Sequence, residues 1–275
     1  MKTKKKIIYL VIVAAVISIF VILISSGIVR RGLAALKSTA HFIALDSDKR
    51  VLYESGAEDF AREVAQHLSA SITAVETAQC QPFAESVFVY ICATKKSFAK
   101  FSGESENIRG VVLVKLFLNP ERMKETPYND TVKLLTHELS HLHHQQELGI
   151  YHYASNIPFW FHEGLAVVVS SGGGAETVSE ADAIKSILAG KHFVPNATGS
   201  FFFIKGPSSY GLEPHMFYRQ SAMFVAYLKG LDETKFRTFM LDIEDGKSFA
   251  DSFSAAFGIS INNAWQQFVG QLKTK

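Results

Sequence analysis

Cysteine is nearly missing from the chain: Cys80 and Cys92 are the only two among 275 residues. Two thiols exclude a disulfide scaffold and a four-cysteine zinc module. Clustered positive charge is missing from most of the sequence as well, because Lys2, Lys4, Lys5, Lys6, Arg30 and Arg31 all flank one apolar run near the start. Setting those six aside leaves 22 of the 28 basic residues against 26 acidic ones, so the body is mildly acidic. Such a balance gives no support for nucleic-acid binding, which needs grouped Lys and Arg. Internal repeats and low-complexity tracts are also absent. With 48% apolar and 12% aromatic residues the chain can bury a sizeable core, and one folded domain with an attachment is expected.

What the start does have is apolar length. Residues 7–29 are 23 consecutive positions without a charge. As a helix they would reach roughly 34 Å, enough to cross a hydrocarbon layer about 30 Å thick. A cleaved signal has a shorter apolar region of about 7–15 residues. The run therefore predicts an uncleaved transmembrane helix in a lipid bilayer. Four lysines precede it, against Arg30, Arg31 and Lys37 after it, which predicts a cytoplasmic N-terminus and an extracytoplasmic body, periplasmic or extracellular. In an oxidising compartment Cys80, at a helix end, and Cys92, at a strand end, could bridge the two elements; the alternative is two separate buried thiols. The expected division is a tail and anchor over 1–31, a linker and start of the outer part over 32–54, and a folded domain over 55–275.

Within the body, Phe60, Val64, Leu68, Ile72 and Val75 recur at helical spacing, with Glu58, Asp59 and Glu63 in the first turns. Residues 87–91 and 110–118 are β-branched and aromatic and read as strands, the second stopped by Asn119-Pro120, with a short helix over 97–101 between them. Everything later is predicted helical. One helix is capped by Asn129 or Asp130, runs to about Glu147 and stops at Gly149. A second begins near Pro158 and ends in Gly172-Gly173-Gly174. Five more are expected over 179–189, 215–229, 233–243, 248–257 and 261–272. Residues 190–214 read as a long loop carrying the apolar insertion Phe201-Phe202-Phe203-Ile204. The fold class is α+β, with a small N-terminal sheet followed by a mainly helical region.

The first of the long helices carries His137-Glu138-Leu139-Ser140-His141. Residues four apart share a helix face, so both imidazoles can bind one metal while Glu138 stands beside its water. A catalytic zinc site takes a third protein ligand, and one straight helix cannot supply all three. In the metzincin pattern the third ligand would fall on Glu147 and a required glycine on His144, which excludes that subclass. Downstream, Trp160-Phe161-His162-Glu163-Gly164-Leu165-Ala166 places an acid on a second helix, beside a glycine that would let the two helices approach closely. An acid on so apolar a helix should have a partner. His143 and His144 read as a solvated helix end, and His162 as a residue that could support a ligand from behind.

With these two motifs the sequence resembles the gluzincins, and more closely the peptidase MA-like families, in which H-E-x-x-H is followed on a later helix by W-x-x-E-G-x-A. Here the second motif begins beyond His141 and places Glu163 22 residues after it, and the likeness covers roughly residues 55–272. The resemblance implies a zincin-like metallopeptidase domain, with Zn2+ on His137, His141 and Glu163 and with Glu138 as general base. It implies an oxyanion donor beyond the third ligand, for which Tyr218 leads and Tyr210 and His215 stay open. By analogy, the strand at 110–118 would be the edge on which a peptide backbone pairs. The expectation is then a membrane-anchored zinc peptidase acting on peptide or protein substrates. A catalytically silent, peptidase-like binding or assembly module is the alternative, against which an intact Glu138 argues.

Overall fold

Short β-branched and aromatic stretches early in the chain pair into a single sheet. In the computed structural model, which describes residues 6–9, 11–14, 16–18 and 27–274, five strands are formed. They are β1 (Ile43–Ala44), β2 (Val51–Tyr53), β3 (Val89–Ile91), β4 (Gly110–Val112) and β5 (Leu116–Leu118), in the order β1-β2-β3-β5-β4. The inner strands β2, β3 and β5 run parallel, and β1 and β4 are antiparallel outer strands. Residues 110–118, expected as one strand, are a hairpin in which Gly110 sits opposite Leu118. Two further strands come from residues 32–54, ahead of the first periodic helix.

Alternation along β3 sends Val89 and Ile91 to one face and Tyr90 and Cys92 to the other. The first face packs with helices α2 (Glu58–Gln79) and α5 (Thr131–Asn156), burying Val64, Leu68, Leu135 and Leu139. On the second face Cys92 joins Phe42, Phe117 and the Phe98 and Phe101 of α3 (Lys95–Ser102). Cys80 caps the C-terminal end of α2 and so belongs to the opposite side of the sheet. Both thiols are free, and the bridge considered from the sequence is not formed. Helix α1 (Ile28–Ala35) lies against α3, with Arg31 paired to Glu104, and α4 (Pro120–Lys124) follows β5.

The transmembrane helix expected over residues 7–29, and with it the membrane part of the fold class, is corrected. Among the described residues no helix is long and apolar enough to cross a membrane. Gly27, at φ 73°, lies outside helical geometry, and the last two residues of the run, Ile28 and Val29, begin α1, an eight-residue helix carrying Arg30 and Arg31. Residues 10, 15 and 19–26 of the run lie outside the described residues. The bilayer contact, the cytoplasmic N-terminus and the extracytoplasmic placement all rested on that span and fall with it.

The rest of the chain is helical: α6 (Phe159–Val169), α7 (Glu180–Leu188), α8 (Pro214–Leu231), α9 (Glu233–Glu244), α10 (Phe249–Phe257) and α11 (Ile261–Leu272). Four of these six start on side-chain caps: Ser179, Asp232, Ser248 and Ser260 each accept a hydrogen bond from a backbone N–H three residues on. These helices close on an aromatic core that includes Trp160, Phe161, Phe193, Phe217, Phe224, Phe239, Phe249 and Phe253. Helix α5 lies between this core and the sheet, and every residue from 134 to 144 is buried. The chain leaves helical geometry at Gly149 (φ 70°, ψ 152°), as its glycine suggested, yet helical turns resume beyond it and run to Asn156.

Candidate metal centre

Helix periodicity puts the leucines of α5 against the sheet and turns His137 and His141 toward α6. There Glu163 completes a group whose donor atoms all lie within 4.8 Å of one another. His137 Nε2 and His141 Nε2 are 3.1 Å apart, and Glu163 Oε2 is 3.5 Å from the first and 3.8 Å from the second. Ligands about 2.0 Å from a tetrahedral zinc ion stand about 3.3 Å from one another, so this spacing and the His/His/carboxylate donor set fit such an ion.

Each imidazole is held through its other nitrogen. His137 Nδ1 donates to the Gly173 carbonyl at 2.9 Å, which leaves Nε2 as the lone-pair nitrogen facing the group. His141 Nδ1 is 3.1 Å from the Tyr153 hydroxyl. Behind them the His162 ring packs edge-on against His141, with centroids 5.5 Å apart. Such contacts fix the tautomer and orientation of a metal-binding imidazole. Sequence reasoning missed Tyr153 altogether, and read Gly173 only as a helix stop. Gly164 does allow a close helix approach, but the partner is α8: a Cβ there would lie 2.7 Å from the Ser221 carbonyl.

Glu138 stands outside the donor group and against β4. A Cβ on Gly110 would come within 2.9 Å of Glu138 Cγ, so glycine is what lets the acid lie flat on the strand. Burial raises the Glu138 carboxyl to about 7, helped by the Glu163 charge and opposed by His137 and Arg109. At His137 burial disfavours the proton, but the Glu163 carboxylate outweighs it and the net shift is upward. Burial, then the charge of His137, takes His141 well below the usual imidazole range.

These groups line one cavity of about 1050 Å³ together with β4, Tyr218, His215 and the loop residues Phe201, Phe203 and Ile204. Gln145 ties α5 to the wall by donating to the Val112 carbonyl at 3.2 Å. Arg109, which also lines the cavity, is paired with Glu176 at 3.0 Å and donates to the Tyr128 carbonyl at 2.8 Å. Of the three candidate oxyanion donors, Tyr218 stands half-buried in the wall, and desolvation, with the charges of Glu163 and Glu138, holds its hydroxyl well above the usual range. His215 also borders the cavity, with Nδ1 accepting from Thr177 N–H at 3.2 Å. Tyr210 lies elsewhere and donates to the Val194 carbonyl at 3.0 Å.

His143 and His144 do not form a solvated helix end. Both are buried and face Glu244 of α9, so the described residues hold two buried His/His/Glu groups that could bind a metal ion. No family model matches the chain, and no curated protein does either.

Proposed function

We propose that this chain is a zinc metallopeptidase of the gluzincin kind, with zinc on His137, His141 and Glu163 and with Glu138 as general base. One observation carries the reading: three donors from two helices converge at tetrahedral spacing, while Glu138, adjacent in sequence to a ligand, stays out of their group and faces the same cavity. A purely structural centre has no use for such an acid. Bound there, zinc would supply Lewis acidity toward a peptide carbonyl and acidify a water molecule.

The chain's own groups account for the rest. Glu138 would take a proton from water and pass it to the departing amine. The Tyr218 hydroxyl, kept protonated by its surroundings, would donate to the carbonyl oxygen as negative charge grows there. Gly173 and Tyr153 keep the two imidazoles aimed. The outer strand β4 on the cavity wall offers an extended peptide a backbone to pair with, so the substrates are peptides or proteins.

Ligand and base separate by experiment. Alanine at His137, His141 or Glu163 should cost one zinc per chain and the activity with it. Glu138→Ala should keep the wild-type zinc content and lose about 10²-fold or more in turnover. Metal analysis alongside cleavage of a mixed peptide library reads both. Full activity in Glu138→Ala would sink the proposal, and zinc-loaded wild type that cuts nothing would favour the silent binding module. Tyr218→Phe should lower turnover with zinc content unchanged; an unchanged rate would pass the oxyanion role to His215.

A further inference from the structure

The second group lies where three distant parts of the chain meet: Gln81 after α2, His143 and His144 on α5, and Glu244 at the end of α9. His143 and His144 are 0% and 1% exposed, and Glu244 is 7% exposed. His143 Nε2 is 2.9 Å from the Gln81 carbonyl. A carbonyl only accepts, so Nε2 carries the hydrogen and Nδ1 presents its lone pair. That lone pair faces Glu244 Oε1 at 3.7 Å, and His144 Nε2 faces the same oxygen at 3.5 Å. Neither nitrogen and neither Glu244 oxygen has a hydrogen-bond partner, and all four atoms are shut off from solvent. Buried polar atoms are normally paired, and the His143 lone pair and the Glu244 carboxylate, both acceptors, need something positive between them.

We propose that this group is a second, structural metal site, taking a divalent ion of the zinc class on His143 Nδ1, His144 Nε2 and Glu244 Oε1. Two imidazole nitrogens and one carboxylate oxygen suit zinc, cobalt or nickel rather than calcium or magnesium, which favour all-oxygen shells. The Gln81 carbonyl on the far nitrogen of His143 is the kind of support such ligands have. None of the three residues borders the large cavity that the first group and Glu138 line. The ion's effect is therefore mechanical: it clamps α9 to α5 and, through Gln81, to the end of α2. The site does not depend on the peptidase reading, since its ligands are separate.

The test counts metal on the full chain. Protein is stripped with a chelator, reloaded with zinc, freed of excess by dialysis and analysed for zinc per folded chain. The same stripped samples are titrated with cobalt to follow its visible absorption. Two zinc ions per wild-type chain are expected, one in Glu163→Gln, one in Glu244→Gln and none in the double variant. In Glu163→Gln, zinc should still raise the thermal midpoint, and in the double variant it should not. One zinc per wild-type chain, lost on Glu163→Gln alone, would overturn the site and leave the peptidase centre standing. The reverse pattern, one zinc lost on Glu244→Gln alone, would keep this site and remove the other. Should Glu244→Gln fail to fold, Glu163→Gln decides by itself: one retained zinc supports the site, and none overturns it.

Discussion

Each imidazole facing Glu163 is aimed by a group far from it along the chain: Gly173 for His137 and Tyr153 for His141. Removing the Tyr153 hydroxyl leaves the ring packed in the core but frees His141 to turn. Tyr153→Phe should therefore fold normally and bind zinc at this centre about 10- to 100-fold more weakly. Competition against a chelator of known affinity measures this, and an unchanged affinity would show that the hydrogen bond does not orient His141. The pair of histidines was legible in the sequence because a helix fixes where residues four apart point. Tyr153 was not, since the chain between it and His141 passes through the break at Gly149, and no periodicity carries across it. His143 and His144 were misread for a related reason. Proximity to a helix stop suggests solvent, yet α9 arrives from a hundred residues later and covers them.

At the scale of elements, close contacts decide how the pieces meet. Gly164 lets α6 approach α8 until only a hydrogen fits between them, and the opposing atoms are the backbone of Ser221, which cannot swing aside. Gly164→Ala should destabilise the chain by about 1–3 kcal/mol, measured by denaturant unfolding, and weaken zinc binding by moving Glu163. A second junction joins β2 to the start of α3. Glu54 accepts from Ser97 Oγ at 2.6 Å and from Ala93 N–H at 2.9 Å, and lies 3.0 Å from His41 Nε2. Burial works to raise this carboxyl, but the hydrogen bonds outweigh it and hold it below its ordinary value of 4.5. A folded pKa below the unfolded one gives stability that is present above pH 4.5 and lost as pH falls below it. Glu54→Gln should then cost about 1 kcal/mol at pH 7, and its gap to wild type in thermal melts should close toward pH 3. A gap independent of pH would mean that the charge contributes nothing. The helices themselves were readable because Ser179, Ser248 and Ser260 announce their starts. The hairpin at 110–118 was not: its turn, Leu113-Val-Lys115, contains none of the usual turn residues.

Taken whole, the two largest cores of the described residues share one wall, α5. The aromatic core is the larger store of buried apolar surface, and Phe239 lies fully within it, edge-on to Phe161, Phe249 and Phe253. Phe239→Ala should cost about 3–5 kcal/mol. Because α5 belongs to both cores, the loss should lower the midpoint of one transition seen alike by far-ultraviolet circular dichroism and tryptophan fluorescence. Two separated transitions would mean that the halves unfold independently. Residues 134–144 of that helix are all buried, and only Leu134, His137, Glu138 and His141 among them reach the cavity. In heavy water their amides have no local route to exchange, so they should take up deuterium only when the entire chain opens. The four histidines of the two candidate metal groups would then sit on the slowest-exchanging segment of the protein. On the peptidase reading proposed above, adjustment to different substrates would fall to the rim, where Phe203 and Ile204 border the same cavity while exposed.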